Sequence, residues 1–225
     1  MSQSPMKEES VKTEPKVKAR KSRKKSTRNP DPKDLPTPID GVPVVEVHDL
    51  HVRFPSEDGV VHAVRGVNLT VQSGEVLGIV GESGSGKSVT SMSIMGLLDQ
   101  SANVQGSVKL HGVDVLGTSD SYMSKIRGKT VAMVFQDPLS ALTPVYTIGD
   151  QIIEALQAHD KSISDKDAEA RAIELLDIVG IPNPEIRIKS FPHEFSGGMR
   201  QRAMIAMAIS NNPDLIIADE PTTAL

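Results

Sequence analysis

The chain has 225 residues, no cysteine and a formal net charge of −4, which divides into +5 over residues 1–40 and −9 over residues 41–225. The lack of cysteine excludes disulfide frameworks, thiolate metal sites and thiol nucleophiles. No apolar stretch approaches the roughly 18 to 20 residues that span a bilayer, and the length favours one domain with an extension.

The first forty residues predict a disordered basic tail that continues into a proline-rich linker. Residues 16–28 read KVKARKSRKKSTR without an acidic residue, and five prolines follow between positions 30 and 43. Like charges repel and few apolar side chains are available for burial, so we expect folding to begin at residue 41. Such a tail can bind anionic lipid headgroups or nucleic acid through its positive charge. The alternative is a solvated extension without a binding partner, which is common.

The folded part opens with two strands that we expect to pair antiparallel. Residues 44–54 and 60–71 partly alternate apolar and polar side chains around a turn at 56–59, which is typical of a sheet with one wet face. Residues 76–80 form a short apolar run bounded by glycines, which is typical of a parallel strand covered on both faces. Further strands are predicted at residues 104–110, 130–135 and 214–218.

Helices are predicted between these strands. One helix is predicted to begin at a capping-box-like pair, Ser164 and Asp167, and to end at Gly180 and Pro182. Its apolar residues between these ends lie on one face. A shorter one is expected at 151–158, and we expect a helical subdomain over about residues 141–195.

The strongest motif is a phosphate-binding loop of the pattern G-x-x-x-x-G-K-S. It comprises Gly81, Glu82, Ser83, Gly84, Ser85, Gly86, Lys87 and Ser88. Its glycines let backbone N–H groups point at phosphate oxygens, and the helix predicted from Val89 onward adds its own unpaired N–H groups. Lys87 is expected to neutralise the β- and γ-phosphates, and Ser88 to bind Mg²⁺. A flexible Gly/Ser turn is the alternative, which the strand-loop-helix context disfavours.

Two carboxylates follow the last predicted strand. Asp219 is expected to join the Mg²⁺ shell, and Glu220 to polarise or deprotonate the attacking water. Alone, such a pair would merely end a strand before Pro221. Together with the phosphate loop it predicts a nucleoside triphosphatase.

A third motif, Phe195 to Arg202, places Ser196, Gly197 and Gly198 before an apolar helix and so predicts a second anion site. With it the sequence resembles the nucleotide-binding domain of ABC ATPases, whose Leu-Ser-Gly-Gly-Gln signature is matched here with Phe for Leu and Met for Gln. The resemblance implies an α/β P-loop fold with an antiparallel β subdomain, a parallel-sheet core and a helical subdomain. It also implies ATP and Mg²⁺ as cofactors, sandwiched so that Ser196, Gly197 and Gly198 act in trans on the nucleotide of a second subunit.

The same resemblance assigns roles to two weaker positions. Gln136 matches the Q-loop glutamine, which reaches the metal and the water and changes position with the transmembrane partner. Phe54 and Val89 are expected at the nucleotide, with Phe54 stacked on adenine. An edge-strand phenylalanine that fills the core is the alternative for Phe54.

Four longer runs resemble the ATP-binding subunits of dipeptide, oligopeptide and nickel importers: GESGSGKS, VFQDPLSALTP, FPHEFSGGMRQRAMIAMAI and PDLIIADEPTTAL. The resemblance implies a peripheral subunit on the cytoplasmic face of the membrane. Its partners would be permease subunits, a second identical or paralogous cassette and, indirectly, a solute-binding protein, with no nucleic acid. A soluble ABC ATPase acting on ribosomes or nucleic acid is the alternative, which the acidic body disfavours.

The sequence departs from the family pattern at its end. Family members continue past the position of Leu225 with an aspartate, a further strand and a switch histidine, and no histidine here follows Glu220. We therefore interpret residues 41–225 as a C-terminally incomplete domain. This leaves open a third possibility, an inactive truncated nucleotide-binding product.

Overall fold

A computed structural model describes residues 31–57 and 59–221, so the predicted basic segment 16–28 lies outside the described residues. The first layer is a four-stranded antiparallel sheet of order β2-β1-β3-β4. Its strands are β1 (Val45–Ser56), β2 (Gly59–Val71), β3 (Asn103–Leu110) and β4 (Val113–Asp114). Ser56 pairs with Gly59 at the first hairpin, which confirms the predicted turn and the antiparallel strands.

The second layer contains α1 (Lys87–Met95), α2 (Asp120–Ile126) and a parallel pair of strands. The strands β5 (Val131–Val134) and β6 (Leu215–Ala218) run in register, with Val134 opposite Ala218. Buried side chains of both layers, among them Leu50, Val108, Ile126 and Val131, form one core. The predicted change from antiparallel to parallel strands is therefore confirmed.

The prediction of a covered parallel strand at residues 76–80 is wrong for this structure. Val76 is 95% exposed and Val80 is 96% exposed. Within the described ranges, no strand pairs with this segment, and the parallel sheet consists of β5 and β6 alone. An apolar segment becomes a buried strand only when neighbouring elements supply its hydrogen bonds and packing, and the tertiary fold determines which neighbours are present.

The third layer is helical. It contains α3 (Pro138–Ala141), α4 (Ile148–His159), α5 (Asp165–Ile178), α6 (Pro184–Arg187), a 3₁₀ turn (Pro192–Glu194) and α7 (Gly197–Ile209). The helix α4 starts three residues before the predicted position, because Thr147 and Asp150 form a reciprocal capping box. Among the described helices, none is long and apolar enough to cross a bilayer.

Residues 31–36, which were expected to form part of the linker, lie against α2. The Asp31 carboxylate accepts hydrogen bonds from the backbone N–H and the hydroxyl of Ser119, the N-cap of α2. The Tyr122 hydroxyl donates to the Asp34 carbonyl at 2.7 Å. Burial, and then the charges of Asp31 and Asp34, raise the pKa of Tyr122, so its hydroxyl stays protonated and available as a donor.

A second core lies among α4, α5 and α7, and it gives a test of the helical layer. Leu175 on α5 is fully buried there, whereas Ile178 on the same helix is 58% exposed. Replacing Leu175 by alanine is expected to lower the free energy of unfolding by about 2–5 kcal/mol, because it removes packing and leaves a cavity. Urea unfolding followed by circular dichroism measures this. Ile178→Ala is the matched control, and equal unfolding midpoints for the two variants would contradict the assigned core.

Candidate functional site

The phosphate-binding loop leads directly into α1. Gly86 is the N-cap of α1 with φ 97° and ψ 7°, a left-handed conformation that suits glycine. A Cβ at this position would lie 2.4 Å from the Ala63 carbonyl oxygen of β2. No side chain caps α1, and residues 81–85 are exposed. The first N–H groups of the helix are therefore accessible to an anionic ligand.

Lys87 lies over the loop that precedes it. Its ammonium Nζ donates to the Gly81 carbonyl at 2.8 Å and to the Glu82 carbonyl at 2.9 Å. Both contacts place a positive charge inside the curve of the loop, where a phosphate chain would meet the backbone N–H groups. Ser88 follows in the first turn of α1 and is partly exposed.

Gln136 and Glu220 are brought together although they are 84 positions apart in the sequence. The Gln136 Nε2 donates to Glu220 Oε2 at 2.7 Å. The cause is the parallel register: β5 and β6 end at the same edge, where the Asp219 N–H also donates to the Val134 carbonyl at 3.0 Å. Glu220 has φ 45°, a left-handed conformation that is unusual for glutamate.

The residues expected to hold Mg²⁺ fit that ion by their chemistry. Ser88, Gln136 and Asp219 offer a hydroxyl, an amide oxygen and a carboxylate, which are the hard oxygen ligands that Mg²⁺ prefers. The described residues contain no group of three or more His, Cys, Asp or Glu side chains that could hold a metal. Mg²⁺ would therefore depend on phosphate oxygens of the nucleotide for part of its shell.

Phe54 lies near the end of β1, opposite Val61, and is partly buried against the core of the antiparallel sheet. This position agrees with the core-filling alternative and leaves part of the ring exposed. Its stacking on adenine stays a prediction.

The second Ser/Gly motif forms an exposed helix start. Ser196 is the N-cap of α7, and its Oγ accepts from the Met199 N–H at 3.3 Å. Phe195, 2% exposed, is buried in the helical core, while Ser196 and Gly197 face solvent. In the described part of the chain, no hydrogen bond links the segment 196–198 with the phosphate loop.

One polar residue near the site was not singled out by its sequence pattern. Gln201 on α7 is fully buried, and its Nε2 donates to the Pro221 carbonyl at 2.8 Å. Its Oε1 has no hydrogen-bond partner among the described residues. Gln201 lies between Arg200 and Arg202 in the sequence, a polar setting that gives no sign of burial, and buried polar groups are costly.

Comparison with known proteins finds a matching family model and several similar relatives. A family model described as ABC transporter matches residues 64–223. The oligopeptide transport ATP-binding protein OppD of Mycobacterium tuberculosis is 56% identical over 183 residues, which cover 81% of this chain and 30% of that protein. OppD of Bacillus subtilis is 52% identical, with coverage of 81% and 51%. The dipeptide transport protein DppD of Bacillus subtilis is 53% identical, with coverage of 81% and 55%.

These matches extend over only part of each relative, since the chain spans 30% to 55% of their lengths. Among solved structures, a dimeric post-hydrolysis state of the ATP-binding cassette MJ0796 bound to ADP and Pi superposes with a TM-score of 0.73. It is 30% identical, and the match covers 80% of this chain and 75% of that one. The antiparallel sheet, the parallel strands and the helical layer thus form a known arrangement.

Proposed function

The chain belongs to the ABC transporter family, and on that premise we propose that it is the ATP-binding and ATP-hydrolysing subunit of an importer for short peptides or similar small solutes. Two observations support the ATPase part: Lys87 lies over the phosphate loop, and Gln136 and Glu220 meet at the edge of the parallel sheet. The names of relatives that are 52% to 56% identical support peptides as the solute class.

ATP would bind with its phosphates in the loop from Gly81 to Ser88 and its adenine near Phe54. Backbone N–H groups and the Lys87 ammonium would compensate the phosphate charge, since a helix start favours anions. Ser88, Asp219 and the Gln136 amide oxygen would hold Mg²⁺. When bound, Mg²⁺ neutralises charge that develops on the β- and γ-phosphate oxygens.

Hydrolysis would use Glu220 as the general base. Its carboxylate would take a proton from the water whose oxygen bonds to the γ-phosphorus, while the bond from γ-phosphorus to the bridging oxygen breaks and ADP leaves with the electron pair. Lys87 would stabilise the charge that spreads over the phosphate oxygens. In the present structure the Gln136 amide already bonds to Glu220, so Gln136 would orient the base.

Two copies would complete each site. The structural relative MJ0796 is described as dimeric with ADP and Pi, and among the described residues of this chain no hydrogen bond joins the Ser/Gly helix start to the phosphate loop. We infer that Ser196, Gly197 and Gly198 bind the nucleotide held by a second subunit. Ser196 and Gly197 are exposed at this helix start, where backbone N–H groups would offer the anion contact that such an arrangement requires.

Ser196→Ala tests this role against a matched serine. Ser164 caps α5 in the same way, with its Oγ accepting from the Asp167 N–H at 3.2 Å. Each change to alanine should lower helix stability by about 1 kcal/mol. Only Ser196→Ala is expected to lower kcat for ATP, by at least about tenfold, because only Ser196 would contact transferred phosphate. A phosphate-release assay decides, and an equal loss in Ser164→Ala would contradict the assignment.

The helical layer, over about residues 141–195, would face the permease subunits on the cytoplasmic side of the membrane. Apolar side chains stand exposed there and just before it: Leu139 is 60% exposed, Val145 is 72% exposed and Tyr146 is 54% exposed. Exposed apolar residues close together in the sequence favour a protein partner. A solute-binding protein would act indirectly, through the permease.

Reconstitution tests the whole proposal. The protein is combined with its permease subunits in proteoliposomes, and uptake of a labelled tetrapeptide is followed with and without ATP. We expect uptake that requires ATP and is lost in Lys87→Ala. ATP hydrolysis that RNA or ribosomes stimulate, without peptide uptake, would instead favour a soluble ABC ATPase.

A further inference from the structure

Gln201 is a buried polar residue that the proposed reaction does not yet use. It is fully buried on α7, as are the neighbouring Ala203 and Ala206. Only one end of its amide is satisfied, by the Pro221 carbonyl, while Oε1 lacks a partner in the described part of the chain. A buried amide with an unmet acceptor is unfavourable, and methionine would fill a similar volume without that cost. Packing alone therefore does not explain a glutamine at this position.

The partner of Gln201 is the carbonyl group that directly follows Glu220. Glu220 has a left-handed backbone, which non-glycine residues keep only when their surroundings fix it. On its N-terminal side, the Asp219 N–H is held by the Val134 carbonyl at 3.0 Å. On its C-terminal side, the Pro221 carbonyl is held by Gln201 at 2.8 Å. The backbone is therefore hydrogen-bonded on both sides of Glu220, to the parallel sheet before it and to Gln201 after it.

Gln201 also belongs to the helix that starts at the Ser/Gly motif. It lies five residues after Ser196, which is roughly 7.5 Å along the helix axis at about 1.5 Å per residue. A helix moves as a unit over one and a half turns, so a shift of its N-terminus reaches the Gln201 amide. The side chain thus connects the anion site of α7 with the loop that carries Glu220.

We propose that Gln201 is a positioning residue, which ties Glu220 to α7 through the Pro221 carbonyl. Contact of a phosphate group with the start of α7 would then set the place of the base in the same chain. In a two-subunit site, that phosphate belongs to nucleotide held by the partner, so Gln201 links the two nucleotide sites. The proposal rests on the proposed function for the role of Glu220 and for the dimer.

Amide hydrogen exchange tests the link without requiring catalysis. In Gln201→Met, the segment 215–221 is expected to exchange faster than in the unmodified chain, because the Pro221 carbonyl loses its donor. Gln151→Met is the matched control. Gln151 is also buried, and its Nε2 donates to a backbone carbonyl, that of Thr143, at 3.0 Å. Neither residue belongs to the segment 215–221. Unchanged exchange of segment 215–221 in Gln201→Met, or an equal change in Gln151→Met, overturns the proposal. If Gln201→Met does not fold, Gln201→Asn replaces it, since the shorter amide lacks the reach.

Steady-state kinetics tests the consequence for the reaction. We expect Gln201→Met to lower kcat by about 10- to 100-fold, the effect of a displaced reactive group, with KM and ATP affinity within about twofold. Adding Glu220→Gln to Gln201→Met should lower kcat no further than Glu220→Gln alone, because both act on the same step. An unchanged kcat in Gln201→Met, while Glu220→Gln loses turnover, overturns the proposal. If turnover does not depend on Glu220, the proposed function is contradicted instead. Hydrogen exchange then tests only whether Gln201 holds the Pro221 carbonyl.

Discussion

Lys87→Ala is expected to abolish tight nucleotide binding. The ammonium group that lies over the Gly81 and Glu82 carbonyls is the one charged donor that the loop itself supplies to a phosphate chain. Charge-assisted hydrogen bonds contribute about 1.5–3 kcal/mol each, so two of them to phosphate oxygens predict an ATP affinity weakened by at least about 100-fold. Titration with a fluorescent ATP analogue measures the dissociation constant directly.

The control for Lys87→Ala is a lysine outside the loop. Lys109 on β3 forms an exposed ion pair with Glu46 at 3.4 Å, and such pairs contribute little. Lys109→Ala should therefore bind ATP like the unmodified chain. Equal affinities for Lys87→Ala and Lys109→Ala would contradict the phosphate site, and the circular dichroism spectra of both variants show whether the fold is kept.

Glu220→Gln is expected to stop hydrolysis while ATP binding persists. Glutamine has nearly the same shape, so the contact with Gln136 is kept in a changed form, but an amide cannot take the proton of the attacking water. Loss of a positioned general base predicts a fall in kcat of about 10²- to 10⁴-fold. Binding depends on the loop and Lys87, so ATP affinity should stay within about threefold, as expected for removal of an interaction specific to the transition state.

Two measurements separate these effects. Phosphate release gives kcat, and light scattering with ATP present shows whether Glu220→Gln accumulates as a two-subunit complex. Glu174→Gln is the control, because Glu174 is a solvent-exposed carboxylate on α5 that pairs with Arg171. Normal turnover in Glu220→Gln would exclude this residue as the base.

Local signals in the sequence identified the helices best. The helix α5 begins after Ser164 and buries Ala168, Ala172, Leu175 and Leu176, because its cap and its apolar spacing are both readable within one segment. The start of α4 was predicted three residues late. Its Thr147–Asp150 capping box lies just before the predicted range of residues 151–158.

Pairing between distant segments was only partly predictable. Residues 131–134 and 215–218 form strands as expected, and their parallel register brings Gln136 to Glu220. Residues 76–80 have the same apolar composition, yet no strand pairs with them in the described part of the chain. Composition reports the tendency to form a strand, whereas the neighbour that completes it is encoded elsewhere in the sequence.

The candidate site shows the same division. Contiguous motifs predict Lys87, Asp219 and Glu220 as site residues, since each motif lies in a few adjacent residues. Gln201 was missed because its partner, Pro221, is 20 positions away. Gln201 lies within the motif from Phe195 to Arg202, but the motif assigns it no role, and only the fold shows which carbonyl it reaches.

The uncovered segment at residues 76–80 has a practical consequence for work with the purified chain. Val76 and Val80 are almost fully exposed, Leu77 and Ile79 are 44% and 49% exposed, and Glu75 is the only charged residue from position 75 to 80. Short apolar segments with unpaired backbone groups act as templates for intermolecular β-sheet. We therefore expect solubility to limit the concentration of this chain. We expect Val80→Lys to raise the highest concentration at which the chain stays in solution.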